Sequence, residues 1–283
     1  MATPSSDRIP FVKMHGLGND FVVLDGRAQA LPAMDATLAA RLANRHTGIG
    51  CDQLIVLAPS TVADFTMRIF NADGSEVEAC GNATRAVGLL HGAPARIETL
   101  GGLLQSTPTA AGISVDMGVP RFEWDAIPLA YAMDTLTMPV GWEELGAPTA
   151  VNVGNPHVIF FVPDCDAVPM ERLGPIIEHD PLFPARINVN VATIVARDHI
   201  RLRVWERGAG LTLACGTGAC ATAVGAMRRG LVDRRVRVDL PGGPLTIEWS
   251  PPAPGEPARI TMTGPATEAF RGSFDLADYR TPA

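Results

Sequence analysis

The sequence has no extended basic region, which disfavours a nucleic-acid partner. Lys and Arg number 23 against 30 Asp and Glu, and the formal net charge is -7. Basic residues cluster no further than pairs such as Arg228-Arg229. Binding to a phosphate backbone relies on clustered cations. We therefore expect a small-molecule ligand and no nucleic acid.

Long apolar runs are also missing. The run VIFFV at Val158–Val162 is strand-sized, far below the roughly 20 residues that a membrane helix needs. The N-terminal MATPSSDRIPF has no apolar core of the kind found in signal peptides. We expect a cytoplasmic globular protein that does not contact the membrane.

Cysteine is scarce, and its five positions are scattered: Cys51, Cys80, Cys165, Cys215 and Cys220. This is too little for a disulfide scaffold, and no C-x-x-C or zinc-type spacing occurs. We predict no metal site and interpret Cys51, Cys165 and Cys220 as small buried apolar residues. The turn after Cys215 lacks the Gly-Lys-Ser/Thr of a P-loop, which disfavours a bound nucleotide.

What the chain does have is an internal repeat. The step along the chain that carries Cys80-Gly81 onto Cys215-Gly216 also carries Gln53 onto Asn188 and Asn71 onto Glu206. Asn19 lands one position from Asn155, and RIETLGGLL and VDMGVP are echoed by RVDLPGGPL and ITMTGP. Matches in the same order indicate two halves of one design.

Each half shows the same succession of predicted elements. Short β-branched segments precede an early helix, ATLAARLANRH or AVPMERLGPIIEH, and a strand, a Cys-Gly turn and a second helix follow. With 283 residues, 47% of them hydrophobic, the chain can bury two cores. We predict an α+β fold of two pseudo-symmetric domains, each a curved, mostly antiparallel sheet around one helix. Their expected bounds are 1–125, with a C-terminal strand at about 268–283, and 126–267.

A cysteine at a helix start has a definite chemistry. For Cys80 alone, simple packing is the better interpretation, but the duplicated Cys-Gly pair favours catalysis. A helix N-terminus offers unpaired N–H groups to a carboxylate and favours a thiolate, so we expect a lowered thiol pKa. A two-fold relation between the halves would bring the two turns face to face across a cleft. One thiolate would then remove an α-proton while the other thiol returns a proton to the opposite face, inverting the centre.

Polar residues at the repeat positions favour a substrate with two amino-acid ends. Arg207 can bind a carboxylate and Glu206 an ammonium, although a surface ion pair is the simpler alternative. The remaining members are neutral amides: Asn19, Gln53, Asn71, Asn155 and Asn188. One end at the cysteines and a second at these groups would suit a diamino diacid.

The motifs resemble those of diaminopimelate epimerases. The matching blocks are KMHGLGNDF, GCDQL, IFNADGSEVEACGNATR, GNPH, RINV, ERGAGLTLACGTGACA, DLPGG and MTGPA, which extend from Lys13 to about Leu276. The resemblance implies barrel-like domains and a homodimeric enzyme that needs no pyridoxal phosphate, metal or other cofactor. It also implies interconversion of LL- and meso-2,6-diaminopimelate, for lysine and peptidoglycan precursor synthesis.

The resemblance also assigns roles by motif position. It implies that Cys80 and Cys215 are the catalytic acid/base pair and that His157 and Glu206 tune their pKa. Phe270 would lie at the dimer contact. The implied substrate-binding positions are Asn19, Gln53, Asn71, Gly81, Asn82, Asn155, Asn188, Glu206, Arg207, Gly216 and Thr217.

Three positions depart from the family pattern. Leu211 replaces the Glu of the usual GAGET, which changes the polarity near Cys215. Ala86 replaces a common third cysteine, with no expected effect on the chemistry. Phe270 replaces a Tyr, so a dimer contact through that hydroxyl would be lost.

Other functions stay open from the residues. A racemase of another amino acid, such as histidine, would differ in the distal polar set, whereas Asn155, Asn188 and Arg207 are retained here. A redox or metal protein would use the two cysteines without catalysing inversion. An isomerase of the phenazine-biosynthesis type shares the architecture but replaces both cysteines.

Overall fold

The computed structural model describes residues 8–78 and 80–279. The chain divides into two compact units: the first unit comprises Met1–Val115 and Pro265–Ala283, and the second unit comprises Asp116–Gly264. The bounds expected from the sequence lie further along the chain, at 125/126 and about 268. Residues 1–7, within the N-terminal segment, and 280–283, at the end of the expected C-terminal strand, lie outside the described residues.

The first unit contains two α-helices, the strands of the N-terminal part of the chain and one C-terminal strand. Its elements are β1 (Arg8–Gly16), β2 (Asn19–Asp25), α1 (Ala36–Ala43), β3 (Gln53–Ala58), β4 (Phe65–Asn71), β5 (Glu76–Val77), α2 (Gly81–His91), β6 (Ala95–Thr99), β7 (Gly102–Thr109), β8 (Gly112–Asp116) and β19 (Thr267–Asp275). β19 ends earlier than expected, because the Asp275 carboxylate accepts a hydrogen bond from Ala277 N (3.0 Å) and a 3₁₀ turn, Leu276–Tyr279, follows.

The second unit has the same plan. Its elements are β9 (Gly141–Trp142), β10 (Leu145–Gly146), β11 (Thr149–Asn152), β12 (Pro156–Phe161), α3 (Met170–Glu178), β13 (Asn188–Ala196), β14 (His199–Glu206), β15 (Gly210–Thr212), α4 (Gly216–Arg228), β16 (Arg235–Leu240), β17 (Gly243–Ser250) and β18 (Arg259–Gly264). The predicted early helix begins at Met170 rather than Ala167, because Pro169 occupies the N-cap position.

The strand pairings repeat in the same order in both units. In the first unit β1–β2 is antiparallel, β2–β3 parallel, β3–β4 antiparallel, β4–β6 parallel and β6–β7 antiparallel. The second unit follows the same alternation: β11–β12 is antiparallel, β12–β13 parallel, β13–β14 antiparallel, β14–β16 parallel and β16–β17 antiparallel. The internal repeat read from the sequence is therefore a repeat of topology.

Residues matched by the repeat hold equivalent places in the strands. Gln53 and Asn188 begin β3 and β13, while Asn71 and Glu206 end β4 and β14. The amide side chains and Glu206 are thus placed at the ends of equivalent strands in the two units.

One helix in each unit lies within the sheet. In α2, the residues Ala83, Ala86 and Val87 are fully buried among apolar side chains of β1 to β4 and β6. In α4 every residue from 218 to 227 is buried, as expected for a helix that is apolar on all sides. The expected α+β fold, a sheet around one helix in each of two units, is confirmed.

The other two helices cover the outer faces of the sheets. In α1 the Asp35 carboxylate caps the helix by accepting from Leu38 N (2.8 Å), and Leu42 packs against β2 and β3. In α3, Leu173 and Ile177 pack against β12 and β13. Among the described residues, no helix combines the length and apolar character that crossing a membrane requires.

Candidate active site

Cys80 is the N-cap residue of α2. Its backbone is extended (φ -147°, ψ 115°), and its Sγ accepts a hydrogen bond from Ala83 N at 3.5 Å. Thr84 fixes the turn, since its backbone N and Oγ1 both donate to the Cys80 carbonyl (2.9 and 2.8 Å). A half-buried sulfur thus lies among the unpaired N–H groups of a helix start.

Cys215 is the N-cap residue of α4 in the same way. Its Sγ accepts from Gly218 N at 3.3 Å and lies 3.5 Å from Thr217 Oγ1. A side chain at position 218 would crowd this site, because a Cβ there would lie 3.0 Å from Val204 and 3.2 Å from the Cys215 sulfur. The prediction that both cysteines stand at helix starts is confirmed.

The acidity of Cys215 differs from the expectation. Burial raises the pKa of the Cys215 thiol well above its ordinary value, and the neighbouring Glu206 carboxylate, which accepts a hydrogen bond from the thiol, raises it further. Thr217 and Gly218 favour the thiolate but do not outweigh these effects. The expected lowering of the pKa is therefore wrong for Cys215, because desolvation disfavours the charged form more than the helix start favours it.

In the first unit, Asn19 and Asn82 form one pair of amides. Asn82, buried in the first turn of α2, donates from Nδ2 to Asn19 Oδ1 at 3.1 Å. Asn19 in turn donates from Nδ2 to Asp52 Oδ2 at 3.0 Å. The start of β2 is thereby connected to the start of α2.

Gln53 and Asn71 form the second pair. They lie opposite each other in β3 and β4, and Gln53 Nε2 donates to Asn71 Oδ1 at 3.0 Å. Asn71 Nδ2 donates to Ser75 Oγ at 3.1 Å. The Gln53 Oε1 atom is buried and has no hydrogen-bond partner among the described residues.

A charged network that the sequence analysis did not identify supports Asn19. Asp20 binds Lys13 and Arg45, and Arg45 also binds Asp52 (2.7 Å). Burial alone would raise the pKa of Asp20, but hydrogen bonds from Arg45 and Lys13 hold it below its usual range. Lys13, Asp20 and Asp52 all lie within the matched motifs KMHGLGNDF and GCDQL. Their place in these motifs is the sequence feature that could have identified them.

In the second unit, His157 is fully buried between two amides. Its Nδ1 lies 3.1 Å from Asn190 Oδ1 and its Nε2 lies 3.0 Å from Asn155 Oδ1. Burial lowers the pKa of His157 to about 4, and the positive charge of Arg207 also lowers it, although the Asn190 hydrogen bond has the opposite effect. The imidazole is therefore neutral near pH 7.

Asn188 connects β13 to the segment that follows β14. Its Oδ1 accepts from Arg207 N at 3.0 Å and its Nδ2 donates to Pro156 O at 2.8 Å. The exposed Arg207 guanidinium donates to Ala185 O at 2.9 Å, and Thr212 donates to Glu206 Oε1 at 2.6 Å. The second unit thus groups Asn155 and His157 in one set and Asn188, Glu206 and Arg207 in another.

Glu178, which the sequence analysis did not identify, holds the turn that contains Arg207. This buried carboxylate at the end of α3 accepts from Gly208 N (3.0 Å) and Trp205 Nε1 (2.8 Å). The indole lies against Gly174, where a Cβ would come within 2.4 Å of the ring. Glycine is therefore required at this position of α3.

The remaining predicted positions lie as follows. Gly81 and Gly216 are the buried first residues of α2 and α4. Leu211 lies in β15 and Phe270 in β19, both with exposed side chains. Among the described residues, no group of three or more His, Cys, Asp or Glu side chains has an arrangement that could hold a metal ion.

Solved structures of low sequence identity share this fold. A phenazine biosynthesis protein of the PhzF family from Bacillus anthracis superposes with a TM-score of 0.68 at 17% identity, covering 94% of this chain and 99% of its own. A hydroxyproline epimerase from Agrobacterium vitis gives 0.66 at 16% identity, covering 96% and 92%. These similarities concern the fold alone.

Sequence relatives are much closer. Proteins named diaminopimelate epimerase from Erythrobacter litoralis and Rhizorhabdus wittichii are 65% and 68% identical over 272 residues. These matches cover 96% of this chain and 99% and 97% of the relatives. The diaminopimelate epimerase family model matches residues 11–123 and 149–268. With both cysteines at the starts of the two buried helices, the chain belongs to the diaminopimelate epimerase family.

Proposed function

We propose that the protein interconverts LL-2,6-diaminopimelate and meso-2,6-diaminopimelate, with Cys80 and Cys215 as the acid/base pair. One observation carries the proposal. Each of two topologically equivalent units begins its buried helix with a cysteine whose Sγ accepts a first-turn N–H. Inversion of a carbon centre needs two proton-transferring groups of this kind, one for each face.

The proposed step moves one proton in and one out. A thiolate takes the α-proton, so that the C–H bond breaks and an S–H bond forms, while the electron pair stays on the α-carbon. The second group, a thiol, then gives its proton to the opposite face and becomes a thiolate. The N–H groups at the helix starts stabilise the negative charge as it spreads onto the substrate carboxylate. The step needs no cofactor.

The state of Cys215 in the structure suits the acid in this scheme. Its raised thiol pKa keeps the proton on sulfur until the carbanion forms. In the reverse direction the same residue acts as the base, and Glu206, which already accepts a hydrogen bond from the thiol, can accept its proton. Glu206 would thus set the protonation state of Cys215 in both directions.

The substrate-binding part of the proposal uses the groups at the strand ends and helix starts. Gly81, Asn82, Gly216 and Thr217 would bind the carboxylate at the reacting carbon. The second amino-acid end would meet acceptors for its ammonium and a cation for its carboxylate. The groups proposed to contact the substrate are Asn19, Gln53, Asn71, Asn155, Asn188, Glu206 and Arg207.

The proposed assembly is a homodimer that uses β19. Phe270 is 52% exposed, and its ring contacts Phe11 edge-on with 6.0 Å between centroids. A dimer contact at this face would bury the ring. Sedimentation of Phe270→Glu should then show a monomer where the unmodified chain is a dimer, and an unchanged sedimentation coefficient would contradict the contact.

The test of the proposed function is a substrate panel. Purified protein is incubated with LL-diaminopimelate, meso-diaminopimelate and single-headed amino acids including histidine and proline, and the stereoisomers are separated. The proposal predicts interconversion of the two diaminopimelate isomers alone. Racemisation of a single-headed amino acid in preference to diaminopimelate would instead establish a racemase of that amino acid.

A further inference from the structure

Asn190 is a fully buried amide that touches both α4 and His157. It lies in β13, two residues beyond Asn188, and the sequence analysis gave it no role. Within the described chain its Oδ1 lies 3.1 Å from His157 Nδ1. It therefore connects the helix that begins at Cys215 with the buried imidazole.

The orientation of the Asn190 amide is fixed by α4. Its Nδ2 donates to Gly218 O at 3.0 Å and to Thr222 Oγ1 at 2.9 Å. These two contacts use both protons of the NH₂ group. The carbonyl oxygen must then be the atom that faces His157, and an amide oxygen can only accept.

The orientation of Asn190 determines which nitrogen of His157 carries the proton. A neutral imidazole has one N–H, and Asn190 requires it at Nδ1, so Nε2 carries the lone pair. In the structure the Asn155 Oδ1 atom lies 3.0 Å from Nε2. An amide oxygen facing a lone pair is repulsive, whereas an NH₂ group in the same place donates a hydrogen bond, and a half-turn of the amide exchanges the two.

We propose that Asn190 is a positioning residue: it fixes His157 in the Nδ1–H tautomer, and His157 in turn holds the Asn155 NH₂ group. The Asn155 oxygen is then directed away from the ring as an acceptor for an ammonium group. The tautomer follows from the protein alone, whereas the use of that oxygen by an amino-acid substrate rests on the proposed function.

A tautomer measurement on the ligand-free protein tests the first part directly. Long-range ¹H–¹⁵N correlation spectra of protein with ¹⁵N-labelled histidine distinguish a protonated Nδ1 from a protonated Nε2. The expected spectrum of His157 at pH 7 to 8 shows a neutral ring protonated at Nδ1. A ring protonated at Nε2, or at both nitrogens, would overturn the proposal, and neither result depends on enzymatic activity.

Two variants extend the test. Asn190→Leu removes the acceptor from Nδ1, and the His157 spectrum should lose the pure Nδ1–H form. The control is Thr149→Val, at a buried residue whose hydroxyl donates to Leu136 O instead, and it should leave the spectrum unchanged. An unchanged tautomer in Asn190→Leu would overturn the proposal. If this variant does not fold, the spectrum of the unmodified protein decides.

Kinetics test the consequence for the substrate. A contact made equally in the ground and transition states affects KM rather than kcat, so Asn190→Leu should raise the KM for diaminopimelate. The loss in kcat/KM should reach up to about 100-fold, as expected for a group misplaced by about 1 Å. An altered tautomer with an unchanged KM would overturn the role of Asn155. If the unmodified protein does not invert diaminopimelate at all, the proposed function itself is contradicted.

Discussion

The two units share one backbone plan but differ in the side chains at equivalent strand positions. At the end of the strand that leads toward each helix, the first unit has Asn71 and the second has Glu206. Beside the first residue of β3 the first unit places Phe21, whereas beside the first residue of β13 the second places His157. The same scaffold therefore has a neutral amide and an apolar ring in the first unit where the second unit has a carboxylate and an imidazole.

This difference shows that the fold is duplicated while the side chains at equivalent positions have diverged. The helix start is common to both cysteines and cannot by itself give them different acidities. For Cys215, burial and Glu206 decide the outcome and raise the thiol pKa. Two proton-transfer groups with different resting states are what an inversion needs, because at each moment one must be a base and the other an acid.

The largest expected effect is the loss of either cysteine. Cys80→Ala and Cys215→Ala should each reduce kcat for LL-to-meso conversion by about 10²- to 10⁴-fold, the range over which a general acid or base contributes. Cys220→Ala, in the interior of α4, is the matched control and should retain activity. If either the Cys80 or the Cys215 variant stays fully active, that cysteine does not transfer a proton in the reaction.

The second unit has a titratable His157 where the first has Phe21, and this gives a prediction for the pH dependence of stability. The folded-state pKa of His157 is about 4, below the ordinary value of 6.5, so between these values the unfolded chain binds a proton that the folded chain does not. The free energy of unfolding should fall as the pH falls through this window, by roughly 3 kcal/mol in total for this group.

Denaturant unfolding between pH 7 and pH 4 measures this effect. His157→Gln should show a shallower decrease in stability than the unmodified protein, because the buried titrating group is gone. His46→Gln, at an exposed position, should not change the slope. Equal slopes in all three proteins would mean that His157 is accessible to protons in the folded state.

The turns after β4 and β14 differ in what holds them. The first closes on itself, with Gly74 N donating to Asn71 O (2.9 Å) and Ser75 N to Asp73 Oδ1 (2.9 Å). The second closes with the equivalent bond, from Ala209 N to Glu206 O (3.0 Å), and is also held by the buried Glu178 carboxylate. Glu178→Gln should therefore cost about 1–3 kcal/mol in the free energy of unfolding, because one of the two donors to this buried carboxylate loses its charged acceptor.

Urea unfolding and steady-state kinetics check this prediction together. The KM for diaminopimelate should rise in Glu178→Gln, since the turn that contains Arg207 is loosened. Glu171→Gln, on the same helix but exposed, is the control. Unchanged stability and KM would show that the turn is held by other contacts.

The smallest expected effect concerns the charge at position 206. Glu206→Gln removes the carboxylate that raises the Cys215 thiol pKa, so the thiolate fraction near neutral pH should increase, about tenfold for each unit by which the pKa falls. Peptide-resolved mass spectrometry after alkylation should show faster modification of Cys215 and an unchanged rate at Cys80. A slower or equal rate at Cys215 would contradict the role of Glu206.

The sequence was sufficient where the signal is local and repeated. The helix spans after Cys80 and Cys215 follow from apolar small-residue runs that end in glycine, and the matched motifs predict the family and the fold. Such features depend on neighbours in the chain, so a pattern can reveal them.

Features that depend on packing could not be predicted in this way. The raised pKa of Cys215 arises because strands enclose α4 on all sides, which no local pattern reports. Glu178 and Asn190 appear in the sequence as an ordinary helical acid and as a polar residue in the alternating strand NVNVATIVA. Their roles emerge only when distant elements bring donors to them.

The most direct test of the two-cysteine account is early-turnover conversion of LL-diaminopimelate in deuterium oxide. Because the returning proton comes from a different, solvent-exchanged thiol, the meso product should carry deuterium at the inverted carbon while the remaining LL substrate keeps its original hydrogen. Deuterium accumulating equally in recovered substrate and product would mean that a single group removes and returns the proton, and would contradict the account.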